Sequence, residues 1–323
     1  MDVSVIIVNW NSGSFLTDCL STLVAHIGDI LWEIFIVDNA SIDESLKIIR
    51  QLDIPIRLLT NQENRGFAAA NNQALVLARG RYVLFLNADT IVTRGTVQEL
   101  VDFVDGDPSV GIVGGQLFTP TGDLQRWAKG SEFSLGAAIN HYFFLSDLFG
   151  RPGLSDPTLS SRPREMGWVS GCCLLARREM IDQIGPLDEV YFMYAEDVDL
   201  CRRAWQHGWR VIHHPGLSIT HFQGGSLKQQ RAVRIAQMPL TMLDNFFASI
   251  APRWQIIPFR LVMFLGLALR AGISGLVYLR RRDPRAAGAW YAGCDYAMLA
   301  GRILLGRTTR VTEVPPQASC SIS

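Results

Sequence analysis

Charge imbalance is the first thing this 323-residue chain lacks: thirty Lys and Arg balance thirty Asp and Glu, for a formal net charge of zero. Without a bulk positive field, nonspecific nucleic-acid binding is a poor fit, and no nucleic-acid partner is expected. Cysteine is also scarce. The six residues Cys19, Cys172, Cys173, Cys201, Cys294 and Cys320 show no metal or disulfide spacing. Cys172-Cys173 reads as a pair of small core residues, and reduced thiols fit a cytosolic site. A basic, apolar leader is not expected either. Asp2 follows Met1, and Val3–Val8 is a short β-type run, so the catalytic part is expected to stay in the cytosol. There is no internal repeat. The length allows one large domain or two smaller ones, with ample core.

What is present is an alternation of strand and helix patterns. Val3–Val8 is a continuous β-branched run, the mark of a strand buried on both faces; Glu33–Val37 reads as a second buried strand, Ile56–Leu59 as a third strand and Tyr82–Leu86 as a strongly apolar fourth. Ser14–His26, Ser41–Gln51 and Phe67–Ala78 carry helical periodicity between them, with Ser41 and Glu44 spaced as a capping box. The pattern predicts an α/β fold: a mostly parallel sheet flanked by helices, with right-handed crossovers. Further strands are expected at Asp107–Phe118, Trp168–Ala176, Arg210–His213 and Leu217–His221, and a helix at Glu196–His207. Pro120–Pro163 reads as an irregular excursion with too many aromatics for a linker.

Several polar residues stand at predicted strand ends. Asn9 and Asp38 end the first two strands and face one crevice. Asp38 can accept from a base or ribose, or cap the next helix. Asn64-Arg65-Gly66 leads into a helix that carries Asn71. Gly66 permits close backbone approach, and Arg65 can meet a diphosphate. Asn87-Ala88-Asp89 ends the fourth strand, and Asp89 is a hard ligand suited to Mg²⁺ or Mn²⁺. Glu196, Asp197 and Asp199 crowd one helix start, where acidic residues also suit the dipole. His221 precedes Gln223-Gly224-Gly225-Ser226, which makes it a candidate for metal or diphosphate contact.

Taken in order, Val3–Asn11, Val37–Ser41, Asn64–Asn72, Leu84–Thr90, Gly167–Arg178, Phe192–Arg203 and His221–Ser226 resemble a family 2 glycosyltransferase of the bacterial rhamnosyltransferase-like branch. The resemblance implies a GT-A fold, an inverting mechanism, a nucleotide-sugar donor (dTDP-L-rhamnose foremost) and a divalent metal. It also implies cell-surface polysaccharide synthesis, with a lipid-linked saccharide as acceptor. Carried over by position, Asp38 resembles the nucleotide-binding aspartate. Asn87 and Asp89 stand at the ends of an Asp-x-Asp motif, with Asp89 as metal ligand. Asp197 matches the general base beside Glu196, and His221 the histidine near the metal. Asn9, Asn64, Arg65, Gly66 and Asn71 are expected on the donor side, Trp168 and Gly171 on the acceptor side. The departure is Asn87 in place of Asp, which removes one charge near the diphosphate. A sugar nucleotidyltransferase is one rival, but Asn9-Trp10-Asn11-Ser12-Gly13 has no Lys or Arg for a triphosphate. A non-catalytic sugar-binding protein on the same fold is the other, and retention of Asp89, Asp197 and His221 counts against it.

The C-terminal hundred residues hold most of the apolar excess behind a 48% apolar composition and a mean hydropathy of +0.16. Ile256–Leu279 is nearly apolar but contains Arg260 and Arg270, and Arg280-Arg281-Arg282 follows. Its length can span a bilayer, but one polar edge holding both arginines favours an interfacial helix. The expected organisation is a glycosyltransferase domain over 1–226, a helical membrane-associated region over 227–310 and a disordered tail over 311–323. The protein is therefore expected at the cytoplasmic face of the cell membrane, with self-association left open. A chain ending near Arg253 is expected to keep the catalytic fold.

Overall fold

The computed structural model describes residues 1–222, 243–281 and 284–306. The Gln223–Ser226 run, the boundary at 226 and the tail over 311–323 lie outside the described residues. Strands β1 (Val3–Asn9), β2 (Trp32–Asp38), β3 (Ile56–Thr60) and β4 (Tyr82–Asn87) pair in parallel in the order β3-β2-β1-β4. Their apolar runs feed two cores. Ile6, Phe35 and Phe85 point to one face of the sheet, and Val5, Ile7 and Leu84 to the other. Helices α1 (Phe15–Ala25), α2 (Ser45–Gln51) and α3 (Phe67–Leu75) make the crossovers.

The second half of the sheet is mixed, so the mostly parallel expectation holds for its first four strands. After β4 the chain forms β5 (Thr90–Arg94), helix α4 (Val97–Asp105) and β6 (Val110–Phe118). A three-residue turn at Arg126–Ala128 follows, then β7 (Lys129–Gly130), α5 (Leu135–Tyr142) and α6 (Leu145–Phe149). The Pro120–Pro163 excursion is therefore partly helical. Next come β8 (Arg164–Glu165), β9 (Trp168–Val169), β10 (Cys173–Arg177), α7 (Arg178–Ile184), α8 (Glu196–Gln206) and β11 (Arg210–His221). β10 runs antiparallel to both β4 and β6, β11 is parallel to β6, and β5 closes the edge antiparallel to β11.

Three expectations change in detail. Trp168–Ala176 is not one strand: it breaks at Ser170-Gly171-Cys172, and β9 joins β7 in a separate ribbon. Arg210–His221 is one strand with a register shift rather than two. The capping box at Ser41 and Glu44 does not form. The Ser41 hydroxyl accepts instead from Asn9 Nδ2 at 3.0 Å and from the Asn11 amide at 2.9 Å, and α2 starts at Ser45. A full capping box sits at Thr96 and Glu99.

Residues 243–250 form helix α9, followed by α10 (Arg253–Arg281) and α11 (Pro284–Leu304). These helices are knit to the body that carries the sheet. Phe259 and Met263 of α10 and Ala300 and Ile303 of α11 are fully buried in the core that also holds Ile6 and Phe35. Phe259 stacks on Phe247 at 4.1 Å, and Phe246 meets Phe133 edge-on at 5.2 Å. The two arginines do not share a lipid-facing polar edge. Arg260 pairs with Asp244 at 2.9 Å, and Arg270 donates to the His141 and Tyr142 carbonyls and lies over the Phe144 ring.

Candidate active site

The C-terminal ends of β1 and β2 carry one polar network. Asn9 and Asp38 are both buried, and Asn9 Nδ2 donates to Asp38 Oδ1 at 2.7 Å. The other Asp38 oxygen accepts from the Ser41 amide at 3.1 Å. Asn39, which sequence reasoning passed over, ties this network to the next loop. Its Nδ2 donates to Asn64 Oδ1 at 2.7 Å, and its Oδ1 accepts from the Arg65 amide at 3.0 Å. Gly66 has φ +84°, and a Cβ there would lie 2.5 Å from the Phe192 carbonyl, so the close approach at this glycine is that of the Phe192 segment. Asn71 donates to the Phe67 carbonyl at 2.9 Å, while its Oδ1 is buried without a hydrogen-bond partner among the described residues. The Arg65 side chain is exposed.

A second cluster forms at the end of β4. Antiparallel pairing places His221 opposite Thr90, beside Asp89. His221 Nε2 lies 3.2 Å from Asp89 Oδ1 and 3.3 Å from Asn87 Nδ2. Gln125, buried and not foreseen, meets His221 Nδ1 with its Oε1 at 2.9 Å. That contact orients the ring so that Nε2 faces the Asp89 carboxylate. A hard oxygen and an imidazole nitrogen converging at this distance fit a divalent cation. Among the described residues no group of three or more His, Cys, Asp or Glu forms a metal cluster. A cation here would therefore take further ligands from a diphosphate and water, as Mg²⁺ commonly does.

The third element is the start of α8. Tyr194 and Ala195 both adopt left-handed backbone, at φ 71° and 73°, which is costly for non-glycine residues and sets where Glu196 and Asp197 emerge. The three carboxylates part company there. Asp199 is held by Arg203 at 2.7 Å and Arg202 at 3.4 Å, so it is structural. Asp197 accepts from the Gly171 amide at 2.8 Å and the Val198 amide at 2.8 Å. Burial raises its pKa, against those amide bonds, which lower it. Glu196 is buried, and one of its oxygens has no hydrogen-bond partner among the described residues. Burial first, then the Asp197 charge, pushes its pKa well up.

These clusters adjoin. Gly171 donates to Asp197, and the next residue, Cys172, accepts from the Asn87 amide at 2.9 Å. The Phe67 amide donates to the Phe192 carbonyl at 2.7 Å, which clamps the Gly66 loop to the segment before α8. Trp168 does not reach the crevice as an acceptor contact. It is 3% exposed, and its indole N–H is spent on the Leu154 carbonyl at 2.9 Å. The exposed ring of that cluster is Trp127, stacked on it at 6.2 Å. A tryptophan flanked by short strands signals an interior position as readily as a platform, so the sequence alone did not separate the two.

Comparison with known proteins bears on the family and the fold. The sequence pattern of Glycosyl transferase family 2 matches residues 4–185. An N-acetylglucosaminyl-diphospho-decaprenol L-rhamnosyltransferase of Mycobacterium tuberculosis is 27% identical over 267 residues, 78% of this chain and 86% of that protein. Among solved structures, the fold is similar to the mannosyltransferase PcManGT of Pyrobaculum calidifontis in complex with GDP-Man and Mn²⁺. That likeness has a TM-score of 0.53 at 18% identity, over 94% of this chain and 86% of that one. It is also similar to GalNAc-T7 with UDP, GalNAc and Mn²⁺, at a TM-score of 0.54 and 17% identity, over 77% of this chain and 50% of that one. The mixed sheet with flanking helices is the GT-A fold.

Proposed function

The chain belongs to glycosyltransferase family 2, and from that premise we propose that it transfers L-rhamnose from dTDP-L-rhamnose to a lipid-linked saccharide, inverting the anomeric centre. The observation that carries the mechanism is the joint at Gly171-Cys172, which sets Asp197 beside the strand end bearing Asn87 and Asp89. The M. tuberculosis relative supports the choice of donor sugar and of a diphospho-lipid acceptor.

Asp38 and Asn9 hold the nucleoside at the ends of β1 and β2. Asp89 and His221 would hold a divalent cation, with Gln125 fixing the imidazole. When bound, such a cation supplies charge neutralisation at the leaving diphosphate. Asp197 takes the proton of the acceptor hydroxyl as its oxygen attacks the anomeric carbon on the face opposite the diphosphate. The new C–O bond forms as the bond to the diphosphate breaks. The products are an inverted glycoside, a nucleoside diphosphate and a proton on Asp197 that passes to water. The two Asp197 amide contacts keep its carboxylate aimed during this step. Burial and the charge on Asp197 raise the pKa of Glu196, its neighbour. Membrane association through the C-terminal helices brings the site to a lipid-linked acceptor on the cytoplasmic face.

The test is a panel of nucleotide sugars offered to the purified chain with a polyprenyl-diphospho-N-acetylglucosamine acceptor. Product configuration is read by NMR. We expect transfer from dTDP-L-rhamnose with inversion. Preference for a UDP- or GDP-sugar would overturn the donor assignment, and retention would overturn the role of Asp197.

A further inference from the structure

Helix α10 divides cleanly by face. Ile257, Leu261, Leu265, Leu269, Ile273 and Leu276 recur every three or four residues and are all exposed, between 42% and 67%. The opposite face is committed to the protein. Phe259 and Met263 are fully buried, a Cβ on Gly266 would lie 2.4 Å from Tyr142 Cβ, and Arg270 reaches the end of α5. Between Trp254 and Leu279 the only Lys, Arg, His, Asp or Glu side chains are Arg260 and Arg270, and both are engaged by the protein. The outer face is thus a long, uncharged, apolar strip.

We propose that this strip is a membrane dock lying in the plane of the bilayer, on a leaflet rich in anionic lipid, and that α10 does not cross the bilayer. The inference rests on the lipid-linked acceptor of the proposed function and adds the geometry of approach. By length and composition Arg253–Arg280 qualifies as a span. Its inner face, however, is fixed to the catalytic body as far as Arg270. Only Ala271–Arg281 extends beyond, about 16 Å of helix against the roughly 30 Å of a hydrocarbon core. Helix α11 then runs back along it. Cβ atoms on Gly275, Gly293 and Gly301 would lie 3.1 Å from Trp290, 3.0 Å from Ala271 and 3.4 Å from Phe264. The connection between the two helices carries Arg280-Arg281-Arg282 and Arg285 in sequence. A hairpin driven in tip-first would bury these charges in hydrocarbon. Laid flat, it keeps them among anionic headgroups and puts the apolar strip into the acyl boundary. A second copy of the chain is the alternative occupant, and the experiment below separates it from lipid.

The test uses the full chain with Cys294→Ser and Cys320→Ser, spin-labelled singly at Ile257→Cys, Leu265→Cys or Ile273→Cys. Vesicles contain phosphatidylcholine with or without phosphatidylglycerol. Shallow and equal immersion depth at all three sites is expected, with a label at Val76→Cys remaining in water. Depth that peaks at Leu265 and returns to water on both sides would show a span. No immersion at any site, with self-association instead, would show a protein interface. Either outcome overturns the dock. Leu265→Glu with Leu269→Glu should lower the vesicle-bound fraction by about tenfold or more. Unchanged binding would also overturn it. Rhamnosyl transfer in detergent reads the proposed function independently: normal transfer without immersion sinks only the dock.

Discussion

Asp197 and Glu196 are neighbours with different work, and the pH dependence of the protein follows from both. Each has a raised pKa, so the folded state keeps its proton at a pH where the unfolded chain has released it. The contribution of this pair to stability is therefore fullest below the ordinary carboxylate range and is lost as pH rises toward the folded-state values. On the proposed mechanism activity runs the opposite way, because the base must be ionised. Glu196→Gln should raise the melting temperature more at pH 8 than at pH 5, read by scanning calorimetry at both. A gain equal at the two would show that the Glu196 proton is not linked to folding. Asp197→Asn should cut transfer about 10²–10⁴-fold while calorimetry finds donor binding intact. Near-normal turnover would remove it as the base. Gln125→Leu frees His221 Nδ1, and should weaken Mn²⁺ affinity about 10–100-fold, read by isothermal titration, with the melting curve little changed. The sequence made Asp89, Asp197 and His221 legible because ionisable groups at strand and helix ends stand out from apolar runs. Gln125 and Asn39 were not legible, since a neutral amide in a loop looks alike whether it is solvated or buried against a histidine.

At the level of elements, local pattern governed what could be read. β1, β2 and β4 are apolar runs buried on both faces, β3 is a partly exposed edge strand, and all four stand where the pattern put them. β5, with Thr93 and Arg94 exposed at its end, carries no such run, and it is the element that brings His221 to Asp89. The break at Ser170-Gly171-Cys172 was hidden for a similar reason: the stretch is apolar enough to continue as strand. Gly171 is there because its amide must face Asp197, and a Cβ would lie 3.3 Å from Asp197 Cβ. The orientation of β10 depends on which strands it meets, a long-range fact that no local pattern carries. β11 holds a different dependence on pH. His213 is wholly buried with neither ring nitrogen hydrogen-bonded among the described residues, and burial, with Lys129 nearby, pushes its pKa down to about 3. The unfolded chain binds a proton there near pH 6 and the folded chain does not, so stability falls as pH drops from about 6.5 toward 3, by about 1.4 kcal/mol per unit. His213→Leu should move acid unfolding, followed by circular dichroism, to lower pH. An unchanged midpoint would mean another group sets the transition.

On the scale of the whole molecule, the sequence suggested a detachable C-terminal region, because its composition shifts abruptly toward apolar residues. The packing joins it to the catalytic body instead. Phe246 and Phe247 of α9 lie between Phe133 and Tyr191 on one side and Phe259 of α10 on the other. Arg260 neutralises Asp244, which is 1% exposed. A chain ending at Pro252 would uncover Phe247 and leave the Asp244 carboxylate without its partner. It would also forfeit the burial of Phe259, Met263 and Ile303, each contributing about 1.5–3 kcal/mol. Their sum is comparable to the 5–15 kcal/mol that typically holds a domain folded. Such a chain should therefore aggregate, or melt at a temperature lower by about 10 °C or more, rather than pass cleanly into the soluble fraction. Phe259→Ala in the full chain isolates the packing from the membrane. It should cost about 3–5 kcal/mol in denaturant unfolding while leaving vesicle binding through the opposite face of α10 unchanged. A shortened chain that stays monomeric, melts normally and binds donor would show that the catalytic fold stands without these helices.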